Sequence, residues 1–165
     1  MKIIPYDRVS AINYARRWAF LRNPDFTDFS DLGGDCTNFV SQCVYAGSGI
    51  MNYTPITGWY YISSYDRAPA WTGVEFFYDF FVNNTGVGPF ATETDKIQLL
   101  PGDVIQFSSV YGTRFDHTLL VSGIIPSKEP IILISAHTND AYMRPLSSYR
   151  YRDIRFLHIE GVRIK

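Results

Sequence analysis

At 165 residues, 46% of them apolar, the chain has the size and composition of one globular domain, expected to span 1–165. Its formal net charge of -1 comes from interspersed signs without a Lys/Arg block, which excludes the electrostatic footprint of a nucleic-acid or anionic-membrane binder. No run is long enough to span a membrane, and Met1 to Asp7 leads into a helical pattern without the roughly 7 to 15 apolar residues of a secretion signal; the expectation is a cytoplasmic protein or a domain excised from a secreted or cell-wall protein.

In chain order, the first predicted element is a helix with Asp7 as N-cap, Val9, Ile12, Ala15 and Ala19 at helical spacing, and Asn23-Pro24 as its stop. An acidic loop follows, with Asp25, Asp28 and Asp31 among Pro, Ser and Gly. Such carboxylates could hold calcium, but without the ordered ligand spacing of a known loop they read as solvated or helix-capping acids, so no metal or other cofactor is expected. A second helix begins at Cys36, carries Phe39, Val40, Cys43 and Val44 on a buried face and ends at Gly47. Thr72-Gly73-Val74-Glu75 has the form of a capping box opening a third helix to about Val82, closed by Asn83-Asn84-Thr85-Gly86.

Beyond Leu100 the rhythm changes. Pro101-Gly102-Asp103 is a turn, Val104 to Phe107 a strand, His117 to Ile125 another and Ile131 to Ala136 a third, with one or two more between Arg155 and Ile164. Helices first and strands afterwards predict an α+β domain in which the helices pack on a mainly antiparallel sheet. The aromatic clusters Trp59-Tyr60-Tyr61 and Phe76-Phe77-Tyr78 read first as core and second as the lining of a cleft.

Two cysteines stand seven residues apart on the second helix, roughly 10 Å by axial rise. That is too far for a disulfide, and the spacing does not suggest zinc. Cys43 falls two turns inside an apolar helix and reads as core. Cys36 follows Gly33-Gly34-Asp35 at the helix start, where free N–H groups and the helix dipole favour negative charge on sulfur and the glycines let a substrate backbone approach. A nucleophilic thiol needs a base, and the chain has three histidines. His117 opens one strand and His137 ends the next, so that two histidines on neighbouring strand ends could hydrogen-bond, one orienting the other. His158 lies inside a late strand and reads as structural.

Tyr6-Asp7-Arg8, Tyr14 to Ala19, Gly33 to Gln42 (GGDCTNFVSQ), Pro101 to Phe107, Asp116-His117-Thr118 and Ser135 to Thr138 together resemble the putative amidase domain family of bacterial proteins, itself similar to the NlpC/P60 and CHAP cysteine peptidases. The resemblance implies a papain-like core with the nucleophile at a helix start against a sheet that carries the histidine. It implies Cys36 as nucleophile, His117 as base and His137 as third member, with Asn139 as the alternative and Asp140 a distant further one. The Cys36 backbone N–H would serve the oxyanion, with Asp35 beside it. The expected activity is cysteine-dependent hydrolysis of an amide or peptide bond, with peptidoglycan stem peptides as a substrate class by analogy. From a different class stands a non-catalytic module that binds cell wall or peptide through its aromatic middle stretch.

Overall fold

The computed structural model describes residues 1–165. Four helices, α1 (Arg8–Trp18), α2 (Cys36–Ser48), the short α3 (Pro69–Thr72) and α4 (Val74–Asn83), lie with a mainly antiparallel sheet, the α+β arrangement expected. Asp7 caps α1 as expected, its carboxylate accepting from the Ser10 N–H at 3.1 Å. The buried stripe differs: Ala11, Ala15 and Ala19 face the core at i, i+4 and i+8, while Val9 faces solvent. Small side chains there bring α1 close to α2. At Gly47 an added Cβ would lie 2.4 Å from the Tyr6 ring, so no larger residue fits the contact.

α2 runs past Gly47 to Ser48 and ends at Gly49, whose φ of 66° forms the left-handed cap. The capping box at Thr72 does not form, because Thr72 belongs to α3: its hydroxyl accepts from Arg67, and Glu75 pairs with Arg155 at 3.2 Å. α4 instead starts at Gly73 without a side-chain cap.

The seven-stranded sheet has the order β1-β9-β5-β6-β7-β8, with β4 also on β9. β5 (Val104–Phe107), β6 (His117–Ile125) and β7 (Ile131–Ala136) match the predicted strands, and β9 (Ile154–Ile164) is one continuous strand. β1 (Lys2–Ile4), β4 (Gly88–Thr94) and β8 (Ala141–Pro145) are additional, as is the small hairpin β2 (Tyr61–Ser63) with β3 (Asp66–Arg67). Each sheet face carries its own core. Val104, Leu120, Leu157 and Ile159 pack towards the helices with Phe39, Val40, Trp59 and Trp71. Ile105, Phe107, Leu119, Val121 and Ile134 form a second cluster on the far face. No helix is long and apolar enough to cross a membrane.

α2 is the hub. Its whole first two turns are buried, and each polar side chain there is tied to a different part of the chain. Thr37 Oγ1 lies 2.8 Å from Thr118 Oγ1, Asn38 accepts from the Trp71 indole at 3.0 Å, Ser41 accepts from the Trp59 indole at 3.0 Å, and Gln42 accepts from the Tyr14 hydroxyl at 2.5 Å. The long polar motif after Cys36 is therefore a set of satisfied buried groups, each costly to strand without its partner.

Both cysteines are free thiols. Burial pushes the Cys43 thiol well above the usual thiol range. The folded state then holds a proton that the unfolded chain releases above about pH 8.5, so the stability this thiol adds is complete below that pH and falls above it, by up to about 1.4 kcal/mol per pH unit. Urea midpoints measured from neutral to alkaline pH should show this slope, reduced in Cys43→Ala; equal slopes in the two proteins would contradict it.

Candidate active site

The chain reaches α2 through Gly33 (φ 99°) and Gly34 (φ 108°), left-handed conformations that L side chains rarely adopt, with open space where a Cβ would stand. The turn delivers Cys36 to the helix start, 8% exposed, at the end of a groove of about 310 Å³ formed with Gly33, Gly34, the start of α4 and the Arg114–Asp116 segment. No side chain caps α2, and the N–H groups of Cys36, Thr37 and Asn38 find no acceptor within the molecule. They provide a local positive field and hydrogen-bond donors beside the sulfur.

The Asp35 carboxylate does not enter the groove. It is buried, accepting from the Phe29 N–H and the Asn38 amide at 2.8 Å each through Oδ1, while its Oδ2 lies 2.5 Å from His137 Nδ1. Asp35 thus braces the start of α2 from beneath rather than lying in the groove where it was expected.

Cys36 Sγ lies 4.0 Å from the carbonyl oxygen of Asp116, the residue before His117; no hydrogen bond joins the thiol to the His117 ring. The ring's Nε2 lies 3.3 Å from Ser109 Oγ and 3.4 Å from Asp116 Oδ1. Ser109 donates its hydroxyl to Asp116 Oδ2 at 2.7 Å, and its N–H donates to Asp116 Oδ1 at 3.0 Å, so serine and carboxylate form one unit against the histidine. The sequence shows Asp116 beside His117 without a role for it, and Ser109 reaches them only across a loop whose fold the sequence does not supply.

His137 does not make the expected bond to His117. Its ring stacks on Phe39 with centroids 3.9 Å apart, and besides Asp35 it donates from Nε2 to the Trp18 carbonyl at 2.8 Å. The cause is register. At the turn end of the β6/β7 hairpin Ile125 pairs with Ile131, but a bulge between Val121 and Gly123 slips the strands by one, pairing Leu120 with Ser135. A one-residue slip exchanges the faces, and His137 goes to the α2 side while His117 shares the far face with Phe107 and Leu119. Asn139, at φ 49°, turns back to that far side and lines a 170 Å³ cavity with His117. Asp140 is held by Arg22, at 2.9 Å and 3.0 Å. His158 bonds buried Asp103 at 2.8 Å, the structural role expected.

The acidic loop is organised by Arg22, which lies 3.3 Å from Asp28 and 3.7 Å from Asp35. The Ser30 hydroxyl, with Arg22 adding to it, holds the Asp28 carboxyl below its ordinary range. No group of three or more His, Cys, Asp or Glu is placed to hold a metal ion.

The model of the putative amidase domain family matches residues 5–159, nearly the whole chain. The chain belongs to that family. It is also 36% identical over 143 residues to the uncharacterized protein YhbB of Bacillus subtilis (strain 168), a match covering 84% of this chain and 43% of that protein. The chain therefore spans less than half the length of this relative. No solved structure matches it. The family's description names an amidase.

Proposed function

We propose that the chain is a cysteine-dependent amide hydrolase with a papain-like core related to the NlpC/P60 and CHAP peptidases, in which Cys36 is the nucleophile and His117 the base. The observation that carries this reading is a thiol at an uncapped helix N-terminus, at the end of an open groove, against the peptide unit that leads into His117. Membership of an amidase family agrees with it. His117 takes the thiol proton through Nδ1, and the thiolate attacks the carbonyl carbon. The developing oxyanion receives the free Cys36 N–H. His117 then protonates the departing amine, and a water activated by the same ring releases the acyl group. In the free chain the ring lies on the far face of β6 with Ser109 and Asp116, so the bond from Cys36 to His117 requires it to turn towards the groove when substrate binds, as such contacts are commonly unformed in a free enzyme. Ser109 and Asp116 orient the ring, in the place foreseen for His137 or Asn139. The substrate is a peptide or amide, with cell-wall peptides first to be tried.

For the binding-module alternative, Trp59, Trp71, Phe77 and Phe81 of the aromatic middle stretch are fully buried, which leaves Tyr53, Tyr65 and Phe76 as its exposed aromatics. Iodoacetamide labelling with peptide mapping tests the proposal. Cys36 should label near pH 6 while Cys43 stays inert, and His117→Ala should slow that labelling about tenfold. Labelling of Cys36 that begins only near pH 8.5, the ordinary thiol value, and ignores His117 would sink the hydrolase reading.

A further inference from the structure

The groove at Cys36 does not stop there. Its wall at Thr72, Gly73 and Phe76 is shared with a second hollow of about 340 Å³ beside Arg67, and Phe76 and Pro69 continue into a third of about 520 Å³. The line follows one face of α4, where Phe76, Asp79, Phe80 and Asn83 recur at i, i+3, i+4 and i+7, while Phe77 and Phe81 turn into the core. Ten helical residues measure about 15 Å, the length of four to five extended residues.

The far hollow is closed by Ile56, held at φ 66° in a three-residue turn in which the Thr57 N–H donates to the Pro55 carbonyl at 2.7 Å. A β-branched residue in that conformation is uncommon. The turn is clamped by the Asn52 and Trp59 pairing and leaves Ile56 76% exposed, with Phe76 59% exposed on the same hollow.

Charge differs along the channel. At the Cys36 end Arg114 has neither hydrogen bond nor ion pair but stands with Glu75, which pairs with Arg155, and Asp116, which Ser109 holds. Asp79, by contrast, is the one charged residue of the far hollow, and its carboxylate is unpaired. Asp79 stands five residues along α4 from Val74, about 7.5 Å, or two to three residues of an extended chain.

Resting on the proposal that Cys36 is the nucleophile, we infer that the substrate is an extended peptide lying along α4, with its apolar contact on Phe76 and Ile56 and a basic side chain at Asp79, two or three residues from the scissile amide.

Pentapeptide probes of two kinds, N-chloroacetyl peptides and peptidyl chloromethyl ketones, cover both chain directions. Each carries Lys, Ala or Glu scanned along it, and its rate of labelling Cys36 is divided by the iodoacetamide rate of the same variant. In one series, Lys at the second or third position should lead Glu by about two- to fivefold, the range of a partly exposed ion pair. Asp79→Lys should reverse that order. Absence of any Lys preference in both series, or a preference that survives Asp79→Lys, overturns the inference. Fluorescein-labelled versions of the peptides, read by polarisation on Cys36→Ser, measure the groove without the thiol. A Lys preference there beside an inert thiol keeps the groove and removes the hydrolase; a reactive thiol without the preference does the reverse.

Discussion

Asp116→Asn slows the labelling of Cys36 by iodoacetamide about ten- to a hundredfold near pH 6 and leaves the rate at about pH 9.5 within a factor of two. At alkaline pH the thiolate forms without help. On the proposed mechanism the thiolate at lower pH needs His117 as its partner, and that ring stands 3.3 Å from Ser109 and 3.4 Å from Asp116. Asparagine keeps an acceptor for Ser109 but removes the negative charge beside the imidazolium. A loss confined to low pH is therefore the mark of orientation, because a merely damaged site would slow labelling at both. With a cleaved substrate in hand, the same change should lower kcat by about 10²- to 10⁴-fold.

Two companion variants decide between the candidates for the third member. Asn139→Ala, altering the cavity it shares with His117, should change neither rate by more than about threefold. His137→Gln strips a buried donor from Asp35 and Trp18, and its effect should appear as lower stability with the shape of the pH profile kept. If Asn139→Ala reproduces the acid-side loss and Asp116→Asn does not, the orienting role passes to Asn139.

Periodicity with end signals locates α1 and α2, short apolar runs locate β5, β6 and β7, and α4 is placed only by a capping-box pattern whose cap does not form. β4 and β8 escaped notice for a physical reason: Gly88-Pro89 and Arg144-Pro145 are poor strand formers, and these strands are held by their partners in the sheet. The site was legible wherever chemistry is local. Glycines before a cysteine at a helix start, and a histidine opening a strand, are readable from neighbours alone. The pairing of the histidines was not, since it depends on a bulge near Ser122 that flips one strand against the other. Nothing in the alternation of β6 or of β7 taken singly reveals which faces are shared. Likewise the acids around Asp28 read in sequence as solvated or capping groups, whereas Asp28 lies against Arg22, whose reach to Asp140 spans 118 positions.

Asp103→Ala should cost about 3 to 5 kcal/mol, a large part of what holds a domain of this size together. Asp103 is fully buried and serves four donors: Arg8 Nη1 and the His158 ring at 2.8 Å each, and the N–H groups of Leu100 at 2.8 Å and Ile159 at 2.9 Å. It fastens the start of α1, the turn before β5 and the middle of β9 at one point, with Tyr6 donating to the Gly102 carbonyl at 2.9 Å alongside. Removing the carboxylate leaves a guanidinium and two backbone donors facing a dry cavity, each short of an acceptor. Arg8→Ala is the instructive contrast. It removes one donor but leaves Asp103 with three, and the arginine was partly solvated, so its cost should fall below about 2 kcal/mol. Urea unfolding of the two variants ranks them. Equal losses would mean that the ion pair alone matters; a loss below about 1.5 kcal/mol for Asp103→Ala would mean that water enters and replaces the carboxylate, and the fastening role would pass to the flanking β5 and β9 ladder.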